Sequence, residues 1–311
     1  MEKVQKFSYT LLKIASLLVF QCCNIEIQEI QTISSDKNFD YDIDNPGNKF
    51  LLENELKEIS GLSFGEGYQF IYSINDEEGR IFVLDKEGGE IIEKIPFGKK
   101  GDYEGIELVE NSIFVVKSSG TILELDTAKQ DVKHKYNTSL KPSNDVEGLG
   151  YNKIDSSLLL ACKAAAGIDK EIKDSRAIYK FDLANRKLQE EPFLLISDES
   201  IVSFIRKHAP KREHDLQRAY FKKLLKRAVY FSPSGIAVHP KTNEIYILSA
   251  VSKLLLVVDQ SNNIKHFVFL KSKIFAQPEG ICFAEDGDMI ISNEGAKGAA
   301  NIYTIRSLKK N

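Results

Sequence analysis

The chain has 311 residues, 42% hydrophobic and 28% charged, a balance that argues against bulk disorder. A formal net charge of −3 is too small to mark a nucleic-acid-binding protein or any strongly charged partner. The four cysteines, Cys22, Cys23, Cys162 and Cys282, have no CxxC spacing and no histidine at zinc-finger intervals, which argues against a zinc site.

Residues 1–23 read as a leader. Lys3, Lys6 and Lys13 precede the apolar run from Ile14 to Phe20, and Cys22-Cys23 follows. A basic start and a short apolar core describe a secretory signal. The run is shorter than the roughly 20 apolar residues of a bilayer-crossing helix. A cysteine directly after such a core resembles a bacterial lipoprotein signal, with Cys22 or Cys23 as the lipidated residue. That reading places the domain in the bacterial cell envelope, outside the cytoplasm and anchored to the membrane. Gln21 before Cys22 and Lys13 inside the core depart from the pattern, so an uncleaved membrane leader and a cytosolic chain with an unusual tail also fit. Residues 24–48 are polar and acidic and read as a tether, which leaves 49–311 as the folded domain, expected to be a monomer.

From there the pattern is short β-rich runs and tight turns. Ile71–Ile74, Ile81–Leu84, Ile113–Val116 and Ile122–Leu125 are separated by Glu78-Gly79, Glu87-Gly88-Gly89 and Ser119-Gly120. This predicts an all-β fold. Five segments then align on one glycine: Glu58-Ile-Ser-Gly61-Leu, Asp102-Tyr-Glu-Gly105-Ile, Asp145-Val-Glu-Gly148-Leu, Ser232-Pro-Ser-Gly235-Ile and Gln277-Pro-Glu-Gly280-Ile. Their spacings are 44, 43, 87 and 45 residues. A period of roughly 40–50 residues with several strands per unit is the signature of a β-propeller. The long interval allows six blades as an alternative. Residues 197–228 account for it better as a helical insert, because Leu216, Tyr220 and Leu224 recur at helical spacing among Arg218, Lys222, Lys223, Lys226 and Arg227. Five blades result. The insert's basic face reads either as a solvated surface or as a contact with anionic headgroups or a partner. The last unit has three strands, and residues 49–53 can supply its outer one, closing the ring.

The first strand of each blade lines a propeller's channel, and the glycine permits close approach at the axis. The residue before it then faces the channel: Ser60, Glu104, Glu147, Ser234 and Glu279. Three carboxylates around one axis repel unless neutralised. A hard cation such as Ca²⁺, which takes about 6–8 oxygen ligands, is one solution. Lys117 and Lys163, after the second strands of their blades, are the other, as a plug of Glu–Lys pairs. Asn75, Asp76, Asp145, Asn293 and Glu294 add oxygens nearby, and Glu58 shares a strand face with Ser60. His134, His208, His214, His239 and His266 are scattered and form no triad; His239, before Pro240 in a turn, reads as structural. Cys162 and Cys282, each in an apolar run, read as buried thiols.

Taken in order, these motifs, with Asp145-Val-Glu-Gly-Leu-Gly-Tyr151, Pro233-Ser-Gly-Ile236 and Ser292-Asn-Glu-Gly295, resemble the SdiA-regulated family of bacterial envelope propellers over residues 50–306. The resemblance implies five blades, distant kinship to NHL repeats, and calcium near the motifs, with Glu58, Glu104, Glu147, Glu279, Asn293 and Glu294 as the metal candidates. It implies no established activity. Two functions are therefore carried forward. One is a non-catalytic module that binds a protein or small-molecule ligand on one face. The other is a calcium-dependent hydrolase of the lactonase, esterase or phytase-like kind, working at the channel by polarising a carbonyl or phosphoryl oxygen.

Overall fold

The computed structural model describes residues 30–35, 39–129, 131–211, 215–295 and 298–309. The leader, with Cys22 and Cys23, lies outside the described residues. Two short strands come first, β1 (Thr32–Ser34) and β2 (Lys49–Leu51). The first blade is β3 (Ile59–Phe64), β4 (Phe70–Asn75), β5 (Arg80–Asp85) and β6 (Ile91–Pro96). The second is β7 (Tyr103–Val109), β8 (Ser112–Lys117), β9 (Ile122–Asp126) and β10 (Val132–Tyr136). The third has β11 (Val146–Asn152), β12 (Ser157–Cys162) and β13 (Ser175–Asp182), with β14 (Lys187–Leu188) and β15 (Leu194–Ser197) both paired to β13. Helices α1 (Asp198–His208) and α2 (Asp215–Ala228) follow. The fourth blade is β16 (Gly235–Val238), β17 (Ile245–Ser249), β18 (Leu254–Val258) and β19 (Ile264–Phe269). The fifth is β20 (Pro278–Phe283), β21 (Met289–Asn293) and β22 (Asn301–Ile305). Each sheet is antiparallel, and among the described residues the 87-residue interval holds the two helices and no sixth blade.

The apolar runs are continuous because each blade is covered on both faces. Five hydrophobic clusters form, each from two neighbouring blades, the last joining Ile290 and Ile302 of the fifth blade to Leu62 and Phe82 of the first. The apolar residue after each motif glycine (Leu62, Ile106, Leu149, Ile236, Ile281) falls in a different cluster. The aspartates that end the third strands also have a role. Asp85, Asp126, Asp182 and Asp259 accept backbone N–H bonds from the turn that follows, for example Gly88 at 2.7 Å and Ala184 at 2.8 Å. Such Asx turns reverse the chain toward the outer strand.

β2 pairs with β22, Lys49 opposite Tyr303 and Leu51 opposite Asn301, so the ring closes as the sequence predicts. The segment before β2 differs from the expected tether. β1 pairs with β19 and becomes a fifth strand of the fourth blade. Ile30, Ile33, Tyr41 and Ile43 are buried, and the Tyr41 hydroxyl donates to the Gly287 carbonyl at 2.6 Å. Asp44 pairs with Lys271 at 2.9 Å. Asp42, Asn45 and Asn48 are exposed, and polar residues of this kind dominate a reading by composition.

α1 starts at Ser197, whose hydroxyl accepts the Ser200 N–H at 3.1 Å, with Asp198 and Glu199 in the first turn. It ends before Pro210, where a helix cannot easily continue. Ile201, Phe204 and Ile205 of α1 and Leu224 of α2 join the cluster between the third and fourth blades. Arg227, expected on the basic face, instead donates to the carbonyls of Ser252, Lys253 and Leu270, the last at 2.9 Å. Among the described residues no helix is long and apolar enough to cross a membrane.

Candidate functional site

The inner strands β3, β7, β11, β16 and β20 run side by side around the axis, and the motif glycines form its narrowest ring. A Cβ at Gly61 would lie 2.7 Å from Ile106 N, and one at Gly235 would lie 2.3 Å from the Glu279 carbonyl oxygen. Only about 10 Å³ of space remains at this level, no more than a single water molecule needs. The ring therefore divides the channel into two separate mouths.

The first mouth is an almost wholly polar cavity of about 160 Å³. It is lined by Ser60, Asp76, Glu104, Glu147, Lys163, Ser234, Gln277, Glu279 and Glu294. The predicted channel position thus comes together as a ring. A β-bulge explains how: register shifts fall between Ile59 and Leu62, Tyr103 and Gly105, Val146 and Gly148, and Pro278 and Ile281. A bulge turns a side chain out of strict alternation, and here it aims the residue before the glycine at the axis.

Five carboxylates meet one lysine in this lining. Lys163 Nζ donates to Glu147 Oε1 at 2.8 Å. Burial works against the charge on Lys163, but this bond, with Glu147, Glu279 and Asp145 nearby, holds its pKa above the ordinary value. Glu147 still lies above its ordinary value, through burial first and then Asp145 and Asp102, against the pull of Lys163. Glu104 is pushed up to about 9, first by burial and then by Glu147 and Asp102. Glu279 lies well above its ordinary range through burial and repulsion from Glu147 and Glu294, which Lys163 and Lys253 only partly offset. Glu294 rises to about 8 through burial and its hydrogen bond with Glu58, and Asp76 rises through burial and repulsion from Glu58. The Asp76 Oδ1 is buried without a hydrogen-bond partner.

Other predicted site residues lie elsewhere. Lys117 does not pair with Glu104; its ammonium sits 5.0 Å from the centre of the Tyr103 ring. A lysine plug therefore exists in one blade only. Asn75 is a turn cap, donating to the Glu55 carbonyl at 2.9 Å and accepting the Glu78 N–H at 2.8 Å. Asn293 is fully buried and donates to Asn301 Oδ1 at 3.1 Å. Asp145 sits in a left-handed backbone conformation (φ 55°) outside the lining, and its carbonyl accepts the Lys163 N–H at 2.8 Å. Glu58 stands at the rim, 3.9 Å from Lys57. Ser234 does line the cavity, but its hydroxyl donates to the Pro278 carbonyl at 2.8 Å and ties two blades together.

The donors are all oxygen, which suits a hard cation such as Ca²⁺, and the surplus of carboxylates gives a cation something to neutralise. Among the described residues no three Asp, Glu, His or Cys side chains already converge as a metal cage. The fit is one of donor chemistry, not of a preformed cage. No histidine lines this mouth. His239, pushed down to about 4 by burial, accepts the Lys241 and Thr242 N–H groups in its turn, as a structural residue would. Cys162 and Cys282 are buried free thiols.

Sequence reasoning missed Glu107. It lies two residues past the motif glycine and lines the second mouth, a groove of about 550 Å³. The corresponding residues are Ser63, Gly150, Ala237 and Cys282. One acid among four small residues was the available signal.

Fold and site together define a closed five-bladed β-propeller with one acidic channel mouth. The SdiA-regulated family's model matches residues 35–297, and the chain belongs to that family. A search of the curated proteins finds no match. Solved structures that resemble it include the Neurospora crassa Pan2 WD40 domain (13% identity, 83% of this chain and 66% of that one, TM-score 0.41). Others are a nidogen/laminin complex (13%, 76% and 72%, 0.47) and luciferin-regenerating enzyme (10%, 85% and 96%, 0.47). The chain spans just under two thirds of the first of these.

Proposed function

We propose that this propeller is a non-catalytic binding module whose acidic mouth takes up calcium. The observation that supports the reading is the lining of that mouth, where Asp76, Glu104, Glu147, Glu279 and Glu294 face Lys163 alone. Such a set is held either by extra protons or by a cation. A bound Ca²⁺ would supply the missing positive charge, with Glu104, Glu279 and Glu294 as the main donors. The mouth would then present a neutral polar surface to a ligand. The leader supports a second part of the reading, in which lipidation at Cys22 or Cys23 holds the domain in the cell envelope.

Thermal melts at pH 8 with Ca²⁺, Mg²⁺ and EDTA test the first part. At about 100-fold excess over Kd, Ca²⁺ should add about 2.7 kcal/mol of stability, and Glu279→Gln should lose most of that gain. An unchanged melt in Ca²⁺ would overturn the reading. A screen of lactones, aryl esters and phosphate esters runs beside it. Ca²⁺-dependent turnover abolished by Glu279→Gln would replace the binding module with a hydrolase. Labelling with an alkynyl fatty acid, lost in the Cys22→Ala, Cys23→Ala double variant, tests the anchor.

A further inference from the structure

The second mouth differs in kind from the first. Its walls are Phe64, Tyr68, Val109, Tyr151, Val238 and Phe283, and its one deep charge is Glu107. The residues that share Glu107's place in the repeat are small, and their missing side chains leave the room. At about 550 Å³ the groove falls within the range of small-molecule sites, roughly 300–1,000 Å³.

Glu107 is held in place. Ser63 Oγ donates to its Oε1 at 2.7 Å, and the Tyr151 N–H donates to Oε2 at 3.1 Å. Ser63 is itself fixed, since its Oγ accepts the Leu108 N–H at 3.2 Å. The Leu108 backbone N–H also bonds to the carboxyl, and none of these three donors carries a charge. Part of the Glu107 surface stays accessible although the residue is deep in the molecule, and it opens onto the groove. Burial pushes the carboxyl up to about 7, against the pull of the bonds from Ser63, Leu108 and Tyr151. Glu107 is therefore an unpaired acid poised between its two charge states near neutral pH.

The aromatic walls are also positioned. Gly67 and Tyr68 both take left-handed conformations (φ 69° and 54°). A non-glycine residue adopts this at a cost of about 1–2 kcal/mol. The turn sets Tyr68 against Phe64, with ring centres 5.5 Å apart. Tyr68 also feels the negative charge of Glu285 and Glu107, after burial the main causes of its raised pKa. The cationic group at the rim, Lys153, is occupied: its Nζ donates to the Pro240 carbonyl.

We propose that the second mouth binds a small molecule with a flat apolar body and a protonated amine, the body lying among Phe64, Tyr68, Tyr151 and Phe283 and the amine meeting Glu107. A cation suits the site because Glu107 is bonded by neutral donors alone and has no partner cation. An anionic ligand would have to approach Glu107 unpaired, at a cost. The glycine ring separates the two mouths, so the calcium reading can fail without affecting this one.

Three probes of similar shape decide it, measured by calorimetry at pH 8 in EDTA: tryptamine, indole and indole-3-acetate. Tryptamine should bind best, indole more weakly and indole-3-acetate weakest. Tryptamine affinity should fall as pH drops through 7 and Glu107 takes up a proton. Glu107→Gln keeps the shape and should cost tryptamine about tenfold or more, as loss of a charged hydrogen bond does, while leaving indole unchanged. Ala237→Leu, which fills the groove from another blade, should weaken both. If no probe binds at 1 mM, if indole-3-acetate binds as well as tryptamine, or if Glu107→Gln leaves tryptamine unaffected in a folded protein, the proposal falls.

Discussion

Replacing Glu104 with Gln should make the protein more stable at alkaline pH and change little under acid conditions. Glu104 has an ordinary pKa of 4.5, raised to about 9 by burial, Glu147 and Asp102. The folded state therefore holds this proton more tightly than the unfolded chain does. The resulting stability is present in full below pH 4.5 and is lost as pH rises through about 9. One group loses about 1.4 kcal/mol per pH unit inside that window, so up to about 3 kcal/mol between pH 5 and 7. The mouth is open to water and its carboxylates share the burden, so about 1–2 kcal/mol is the expected net effect. Gln mimics the protonated acid and does not titrate. In EDTA, the melting temperature of Glu104→Gln minus that of the wild type should grow from near zero at pH 5 to several degrees at pH 8, at about 2–4 °C per kcal/mol. Saturating Ca²⁺ should shrink that gap by stabilising the ionised wild type. A gap that stays constant with pH would refute the argument that burial and repulsion hold a proton on this carboxyl.

Three further outcomes follow from packing. Gly235→Ala places a Cβ against the backbone oxygen of Glu279, 2.3 Å away; neither atom can rotate aside, so a loss of about 1–3 kcal/mol in urea denaturation is expected. Glu124 is fully buried and receives bonds from Arg186 (3.2 Å), Tyr136 (2.6 Å) and Ser112 (3.1 Å); Glu124→Ala should cost about 2–3 kcal/mol, less than an enclosed pair because Arg186 can turn to water, and Glu124→Gln should cost less by the same assay. Tyr41→Ala removes a buried ring and its bond to Gly287, so a thermal melt should show a loss of about 3 kcal/mol; an unchanged melt would restore the view of residues 39–48 as a tether.

The blade count, the helical insert and the closing strand were legible because each repeats or interrupts a pattern. The glycine spacing sets the blades, the spacing of Tyr220 and Leu224 sets the helix, and residues 49–51 fill the one missing strand. Three things were not legible. β1 has three residues, too short for periodicity to register, and its pairing with β19 spans more than 200 positions. Lys117 and Lys163 hold the same place in adjacent blades, yet only Lys163 reaches its glutamate, because Tyr103 offers Lys117 an aromatic face instead. Asn75 and Asn293 carry oxygens close to the mouth in sequence, but the Asn75 oxygen accepts the Glu78 N–H, and the Asn293 oxygen is buried without a partner and outside the lining of the mouth. Composition near a site does not tell which polar groups remain unspent.

The bulge explains why Glu107 escaped notice. Strict alternation puts the residue before the glycine and the residue two after it on opposite sides of a strand. With a register shift between them, as in β3, β7, β11 and β20, both can face the axis. Four consecutive positions then divide the work of the channel. The first supplies the acidic mouth, the glycine closes the axis, the next residue packs between blades, and the fourth shapes the second mouth. The glycine closure has a chemical consequence: about 10 Å³ leaves no room for a hydrated ion. Substitutions at Ser60, Glu104, Glu147, Ser234 and Glu279 should therefore alter one mouth alone. Substitutions at Ser63, Glu107, Gly150, Ala237 and Cys282 should alter the other, so that one repeat carries two independently variable mouths on one ring.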